Sequence, residues 1–412
     1  MNIAYIRCLI VLAFAGSLSS CCSRGSNGSD GLANWLFGCT THSGTVNASS
    51  GLWQGAQLIG GNSAGDATNP QIAENASGDA MSAWQQSDGV RKSIWANLYS
   101  AGNGWGTAAV IETNNAGDAT NPQVAIDTAG DSLAVWQQSN GLRDNIWANR
   151  YTAGSGWGTA ELIEANNAGD ATNPQIAVDS VGDALVVWQQ SDGLHNSIWA
   201  NRFTPSGGWG IARQIENNSS GDATNPQIAV DPAGNALAVW QQSDGVRDNI
   251  WANGFTANGG WGIARLIQSI NGANAANPQV AVDSAGDGLA VWQQSDGTRD
   301  NIWANRFTAG GDWGTARVIE SNSSGNATNP EIAVDSAGDG LAVWQQLGGA
   351  YNTIFAASYS TVGGWNSALL IGTSITGDAL LPQVAIGGNG SGLAVWYQLN
   401  GAKYNIASNL FK

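Results

Sequence analysis

The sequence predicts an all-β chain folded as a seven-bladed β-propeller of four-stranded blades, and three observations predict it. Tryptophan recurs in series at a fixed step of 52 residues, proline keeps the same step, and every repeat holds four strand-like runs. One tryptophan series runs Trp53, Trp105, Trp157, Trp209, Trp261, Trp313, Trp365, and a second runs Trp84, Trp136, Trp188, Trp240, Trp292, Trp344, Trp396. A third runs Trp95, Trp147, Trp199, Trp251, Trp303 and then gives way to Phe355 and Ala407. The prolines stand at 70, 122, 174, 226, 278, 330 and 382.

The elements of a repeat follow in order. The first run, Asn225 to Asp231, opens with Pro226, which a strand tolerates at its start. An Asp-x-x-Gly turn leads to a second run, Ala236 to Gln242, apolar and β-branched. Continuous apolar stretches such as Leu185-Val186-Val187-Trp188 suit strands buried on both faces, which stacked blades provide. An Asp-Gly turn gives the third run, as in Asn301 to Phe307, and a Gly-rich turn gives the fourth, from Trp-Gly onward. No helix-period segment of useful length follows residue 48.

The ends of the array carry topology. The first element present is a fourth strand around Trp53, and the last is a third strand from Tyr404 to Phe411. The two partial blades are expected to complete one another, so that the N-terminal, outermost strand pairs with the C-terminal strands and closes the ring without an open edge. A linear solenoid would need capped ends instead. The propeller is accordingly expected over 49–412.

Composition narrows the partners. The chain has 412 residues and a net charge of −16, and only 11% of its residues are charged. Such a surface repels polyanions, so nucleic acid is a poor partner. The first 20 residues carry one charge, Arg7, before an apolar run from Cys8 to Leu18 that is too short to span a bilayer. They read as a secretory signal. Residues 21–48, rich in Ser, Gly, Thr and Asn, read as a flexible tether, with Trp35-Leu36-Phe37 as its apolar exception. Cys22 and Cys39 either pair in an oxidising compartment or stay unpaired.

Two resemblances add to this. Leu18-Ser19-Ser20-Cys21 resembles the lipobox of bacterial lipoproteins. It implies cleavage before Cys21, lipidation of Cys21 and a cell-envelope location; in a Gram-negative host, Cys22 rather than Asp in the following position implies the outer membrane, facing the periplasm or the surface. The order of proline, short strand, Asp-x-x-Gly, Val-Trp, Ile-Trp, Gly-rich turn and Trp-Gly resembles sialidase-type propeller repeats over 49–412. Their Asp-box is degenerate here, and Thr308-Ala309-Gly310-Gly311-Asp312-Trp313-Gly314 comes nearest to it. A weaker resemblance is to tryptophan-rich bacterial propeller lectins, which bind fucose or methylated sugars.

A sialidase-like hydrolase would need an arginine triad, a Tyr/Glu pair and an acid gathered near the axis. Arg91, Arg143, Arg247 and Arg299 instead recur at equivalent positions of different blades. Near-identical blades also give each carboxylate the same surroundings, against the asymmetry that acid–base roles need. The sequence therefore leads us to expect a binding or scaffold protein, not an enzyme, with no cofactor. Strand polarity puts the second-to-third turns and the inter-blade loops on one face. The candidate ligand-binding residues on that loop ring are Gln241, Gln242, Asp244, Arg247, Asp248 and Trp251, with Arg143, Asp144, Trp147, Arg299, Asp300 and Trp303 from other blades. Amides, carboxylates and guanidinium would hold sugar hydroxyls beside an aromatic platform. The same residues also read as turn chemistry and core filling. Asp66, Asp118, Asp170, Asp222 and Asp378, with Glu112, Glu164, Glu216 and Glu320 nearby, suggest a calcium site only weakly, and no metal is expected. Glycan or protein is the expected partner at the ring, with the membrane held through the lipid. An assembly scaffold without glycan binding is the alternative, and a sialidase-like glycoside hydrolase a more distant one.

Overall fold

The computed structural model describes residues 57–412 apart from 61–64, 114–115, 165–167, 218–219, 269–272, 322–324, 373–376, 389 and 402. Trp53, Cys21, Cys22, Cys39 and Trp35 to Phe37 lie outside the described residues. The described chain is all strand, with no helix, and forms seven small antiparallel sheets arranged as a seven-bladed β-propeller. The first strands of blades 1–7 are Ala67–Glu74, Ala119–Ile126, Ala171–Val178, Ala223–Val230, Ala275–Val282, Ala327–Val334 and Ala379–Ile386.

Blade 4 shows why each run folds as it does. Its first strand is interrupted by a bulge between Thr224 and Gln227, where Asn225 takes a φ of 53° ahead of Pro226. Asparagine tolerates this left-handed conformation better than most residues, and the proline, lacking an N–H, sits where the ladder is already broken. The turn to the second strand is closed by Asp231, whose Oδ1 accepts the N–H of Ala233 and Asn235, each at 2.8 Å. Gly234 in that turn has a φ of 82°, and a Cβ there would meet Asp179 of blade 3 at 2.8 Å. The turn therefore needs glycine for both conformation and space.

The second strand, Ala236–Ser243, is the most buried element of the blade. Trp240 is fully buried and packs with Ile228, Ala238 and Phe255 against Leu185, Val187, Ile198 and Ile215 of blade 3. Clusters of the same make-up lie between blades 1 and 2, 2 and 3, 4 and 5, 5 and 6, and 6 and 7. The second tryptophan series is thus the inter-blade core.

The fourth run is not one strand, as the sequence pattern suggests, but two short pieces. Gly260–Trp261 pairs with Phe255–Thr256, and Arg265–Leu266 pairs with Trp251–Ala252. Between them the Asn253 side-chain amide donates to the carbonyl of Gly262 at 3.2 Å, and blade 6, with Ala357 at this place, has the same two-piece strand.

The closing strand around Trp53 falls outside the described residues. The described Ile59 does occupy the place expected of a fourth-strand end, because its carbonyl accepts the Asn97 amide at 3.0 Å. Ile111 and Asn149 make the equivalent bond at 2.8 Å. Blade 7 has three described strands, and no described strand pairs with the far edge of Lys403–Phe411. Ile406 on that strand is 67% exposed, whereas its counterparts Ile94, Ile146, Ile198, Ile250, Ile302 and Ile354 are fully buried.

Candidate functional site

The loop ring is built from the turns Ser243 to Asp248 and their counterparts. In blade 4 the Asp244 Oδ1 accepts the N–H of Val246 at 2.9 Å and of Arg247 at 2.8 Å, while Oδ2 accepts the Asn249 amide at 3.2 Å. The Arg247 and Val246 amides, with Asn249, hold the Asp244 carboxyl below the usual aspartate range. This carboxylate folds the turn. Asp248 accepts Gln241 Nε2 at 2.9 Å, and its own N–H donates to Asn274 of the following loop at 3.1 Å. Gln241 Oε1 in turn accepts the Asn225 side chain at 3.3 Å. In blade 2, Asp144 accepts Gln137 at 3.1 Å, and burial, with Asp170 nearby, pushes its carboxyl up. Burial, reinforced by Asp296, raises Asp300.

Gln242 is not on this ring. It is buried, its Oε1 accepts the Trp240 indole N–H at 2.9 Å, and its Nε2 donates to Glu216 at 3.2 Å. Glu112, Glu164 and Glu320 accept the equivalent glutamine of the next blade, so these carboxylates are inter-blade core partners and not a surface cation set. The recurring loop acids also have a structural task. Asp118, Asp170, Asp222 and Asp378 each accept the N–H that ends the preceding blade's hairpin, at 2.7–3.0 Å. No cluster of three or more metal-ligating side chains occurs among the described residues.

The remaining candidates separate. Arg247 is exposed at the turn, and Arg143 is half-buried. Arg299 donates to Asn301 at 3.1 Å and reaches Glu320 at 3.5 Å. Trp147, Trp251 and Trp303 are half-buried away from the turns, packed on the inter-blade clusters. The indole nitrogens of Trp147 and Trp303 are buried without a hydrogen-bond partner. The structure thus joins Gln241 to Asp248 and Asp244 to Arg247, but does not bring the tryptophans to them.

Trp251 instead opens onto a cleft at the outer rim between blades 4 and 5. The cleft has a volume of about 430 Å³, within the range of small-molecule sites. Trp251, Arg265 and Gln268 line it from blade 4, and Asn305, Asp312 and Trp313 from blade 5. Arg265 Nη1 meets Asp312 Oδ2 at 2.9 Å, with both side chains more than half exposed. Asp312 Oδ1 accepts the N–H of Trp313 at 2.9 Å, which fixes the carboxylate beside that ring. Trp313 is tilted against Phe307 with ring centres 5.6 Å apart. Gln268 and Asn305 are already engaged: Gln268 donates to Asn249 of its own blade at 2.7 Å, and Asn305 to the Ile267 carbonyl of blade 4 at 2.8 Å. The side chains that remain to meet a ligand are the two half-buried indoles, Trp251 and Trp313, and the exposed Arg265–Asp312 pair. Sequence reasoning singled out Asp312 and Trp313 as the nearest Asp-box approach but did not join them to Arg265. The signal for that link was the same 52-residue step, which places arginine at 213, 265 and 317.

Comparison with known proteins gives the fold. No known sequence family matches the chain, and no curated protein does. Among solved structures, an ulvan lyase of polysaccharide lyase family PL25, bound to a glucuronate–sulfated rhamnose glycan, matches with a TM-score of 0.54 at 9% identity. That match covers 82% of this chain and 90% of that one. The polysaccharide lyase Uly1 matches with a TM-score of 0.52 at 11% identity, over 88% of this chain and 93% of that one. A leech intramolecular trans-sialidase matches at 0.45 and 10% identity, over 88% and 71%. The expectation that the chain is not an enzyme does not stand. It rested on the sameness of the blades, and this fold carries catalysis in the two lyases.

Proposed function

We propose that the protein binds glycan in its rim clefts, with the cleft of blades 4 and 5 as the site. The observation that carries this is the meeting of Trp251, Trp313, Arg265 and Asp312 around a cavity of about 430 Å³. Sugar rings present C–H faces that pack on indole, while their hydroxyls need both donors and acceptors. The rim supplies both within one cleft. Counterparts of Trp251 and Trp313 recur in neighbouring blades, so a polymer would engage several weak sites and gain from avidity. The lipobox-like Leu18 to Cys21, if processed, would present these clefts at a membrane surface.

The test is retention of immobilised glycans by the full-length chain, followed by calorimetry on those retained. Wild type is expected to bind, and Trp313→Ala and Arg265→Ala each to weaken binding at least ten-fold. The same incubations are assayed for cleavage of the glycan. Failure to retain any glycan would overturn the reading.

One observation favours a second reading, a protein-assembly scaffold. Val90, Leu142, Leu194 and Val246 stand at the hairpin tips of four successive blades and are 81–92% exposed. A crown of aliphatic tips suits protein contact better than sugar. Specific capture of a protein through this face, lost in Leu142→Ser with Leu194→Ser, would support it.

A further inference from the structure

We infer that the rim of blades 3–5 takes an anionic polysaccharide, one bearing carboxylate or sulfate groups, laid across three consecutive blades. This rests on the glycan reading of the clefts and adds the charge of the ligand. The rim position in question reads Gln57, Ala109, Glu161, Arg213, Arg265, Arg317 and Leu369 around the propeller. Arginine fills it in three successive blades and nowhere else, and all three side chains are exposed.

The middle arginine shows what the position accepts. Arg265 reaches across to the next blade and binds the Asp312 carboxylate at 2.9 Å, beside Trp313. Asp312 stands in the Gly-rich turn, where the flanking blades have Gly260 and Gly364. Arg213 Nη1 lies 3.9 Å from where a Cβ on Gly260 would stand, and Arg317 Nη1 the same distance from that of Gly364. These two guanidiniums thus reach equivalent places where the protein supplies no carboxylate. Neither makes an ion pair with a described residue. Each lies against the turn that leads into the next blade's tryptophan, Trp261 or Trp365. A ligand carboxylate or sulfate in the place that Asp312 takes would meet a guanidinium fork beside an indole face.

The protein's net charge of −16 does not oppose this at close range. Exposed charges are screened over about 8 Å at physiological ionic strength, so contact with a local guanidinium outweighs the distant average. Charges repeated from blade to blade favour a polymer over a single sugar.

The experiment measures binding of the full-length chain to polygalacturonate, dextran sulfate and neutral dextran, with and without added salt. Binding to either polyanion, at least ten-fold tighter than to dextran and weakened by salt, is expected, and the stronger of the two names the anion. The double variant Arg213→Ala with Arg317→Ala should lose at least ten-fold, with its circular dichroism and melting temperature unchanged. The equal charge change Lys403→Ala with Lys412→Ala should not. If neutral glycans bind as well as charged ones and the arginine variants bind normally, the inference fails while the glycan reading stands. If no glycan of any charge binds, both fail.

Discussion

Asn253, on the third strand of blade 4, donates its side-chain amide to the Ile215 carbonyl of blade 3 at 2.9 Å, and the same nitrogen reaches the Gly262 carbonyl at 3.2 Å. One amide therefore ties two blades together at the rim and holds the carbonyl left unpaired in the gap of the outermost strand. Asn149, Asn201, Asn305 and Asn409 make the equivalent inter-blade bond at 2.8–3.0 Å. Blade 6 has Ala357 at this place. Asn253→Ala leaves the Ile215 carbonyl without this partner and should destabilise the protein by about 1–3 kcal/mol. Urea unfolding checks this, and an unchanged midpoint would mean that water replaces the amide at no cost.

Gln242 links Trp240 to Glu216 within the core. Replacing it with leucine keeps the bulk and removes both bonds, leaving a buried indole N–H without this acceptor and the Glu216 carboxylate with one donor fewer. The expected loss is about 2–4 kcal/mol. Gln241→Leu, nearer the surface, should cost less. Chemical denaturation of the two variants side by side gives the order, and the reverse order would contradict the burial assigned to Gln242.

The hairpin aspartates and the buried-side aspartates should titrate in opposite directions. Asp88, Asp192, Asp244 and Asp296 are held below the ordinary value, first of all by the backbone N–H three residues on in the turn. Their stabilising contribution is present above the unfolded value near 3.9 and is lost as pH falls through the lowered folded values. Burial raises Asp127, Asp144 and Asp300, so their contribution is present below the unfolded value and declines as pH rises through the raised folded values. Carboxyl titration by NMR, with hydrogen exchange at the Val246 and Arg247 amides, follows both. A hairpin aspartate titrating above the ordinary value would contradict the turn geometry.

Arg265 and Asp312 form an exposed pair, and such pairs contribute little to stability. Arg265→Ala and Asp312→Asn should each change stability by less than about 0.5 kcal/mol while weakening glycan binding. A large stability loss without a binding change would make the pair a structural clasp.

Much of the fold was legible because one blade's solution is written seven times. Proline at the strand start, Asp-x-x-Gly and Val-Trp each report a local requirement, and the 52-residue step turns those into a count. Gln242 was misplaced through strand parity. It lies two residues from Trp240, hence on the same face, and Trp240 faces the neighbouring blade. The broken outer strand was hidden because the run from Trp261 to Leu266 reads as one strand while only its two ends pair with the third strand. The rim cleft was harder still. Arg265 and Asp312 belong to different repeats and meet only once adjacent blades are stacked, so no pattern within a repeat displays the pair.

Binding of sugar between Trp251 and Trp313 is tested most directly by the indole N–H resonances. With assignments from single Trp→Phe substitutions, titration of the full-length protein with a retained glycan should shift the Trp251 and Trp313 signals and leave Trp240 in place. Shifts confined to the hairpin amides around Arg247, with both rim indoles unmoved, would contradict it.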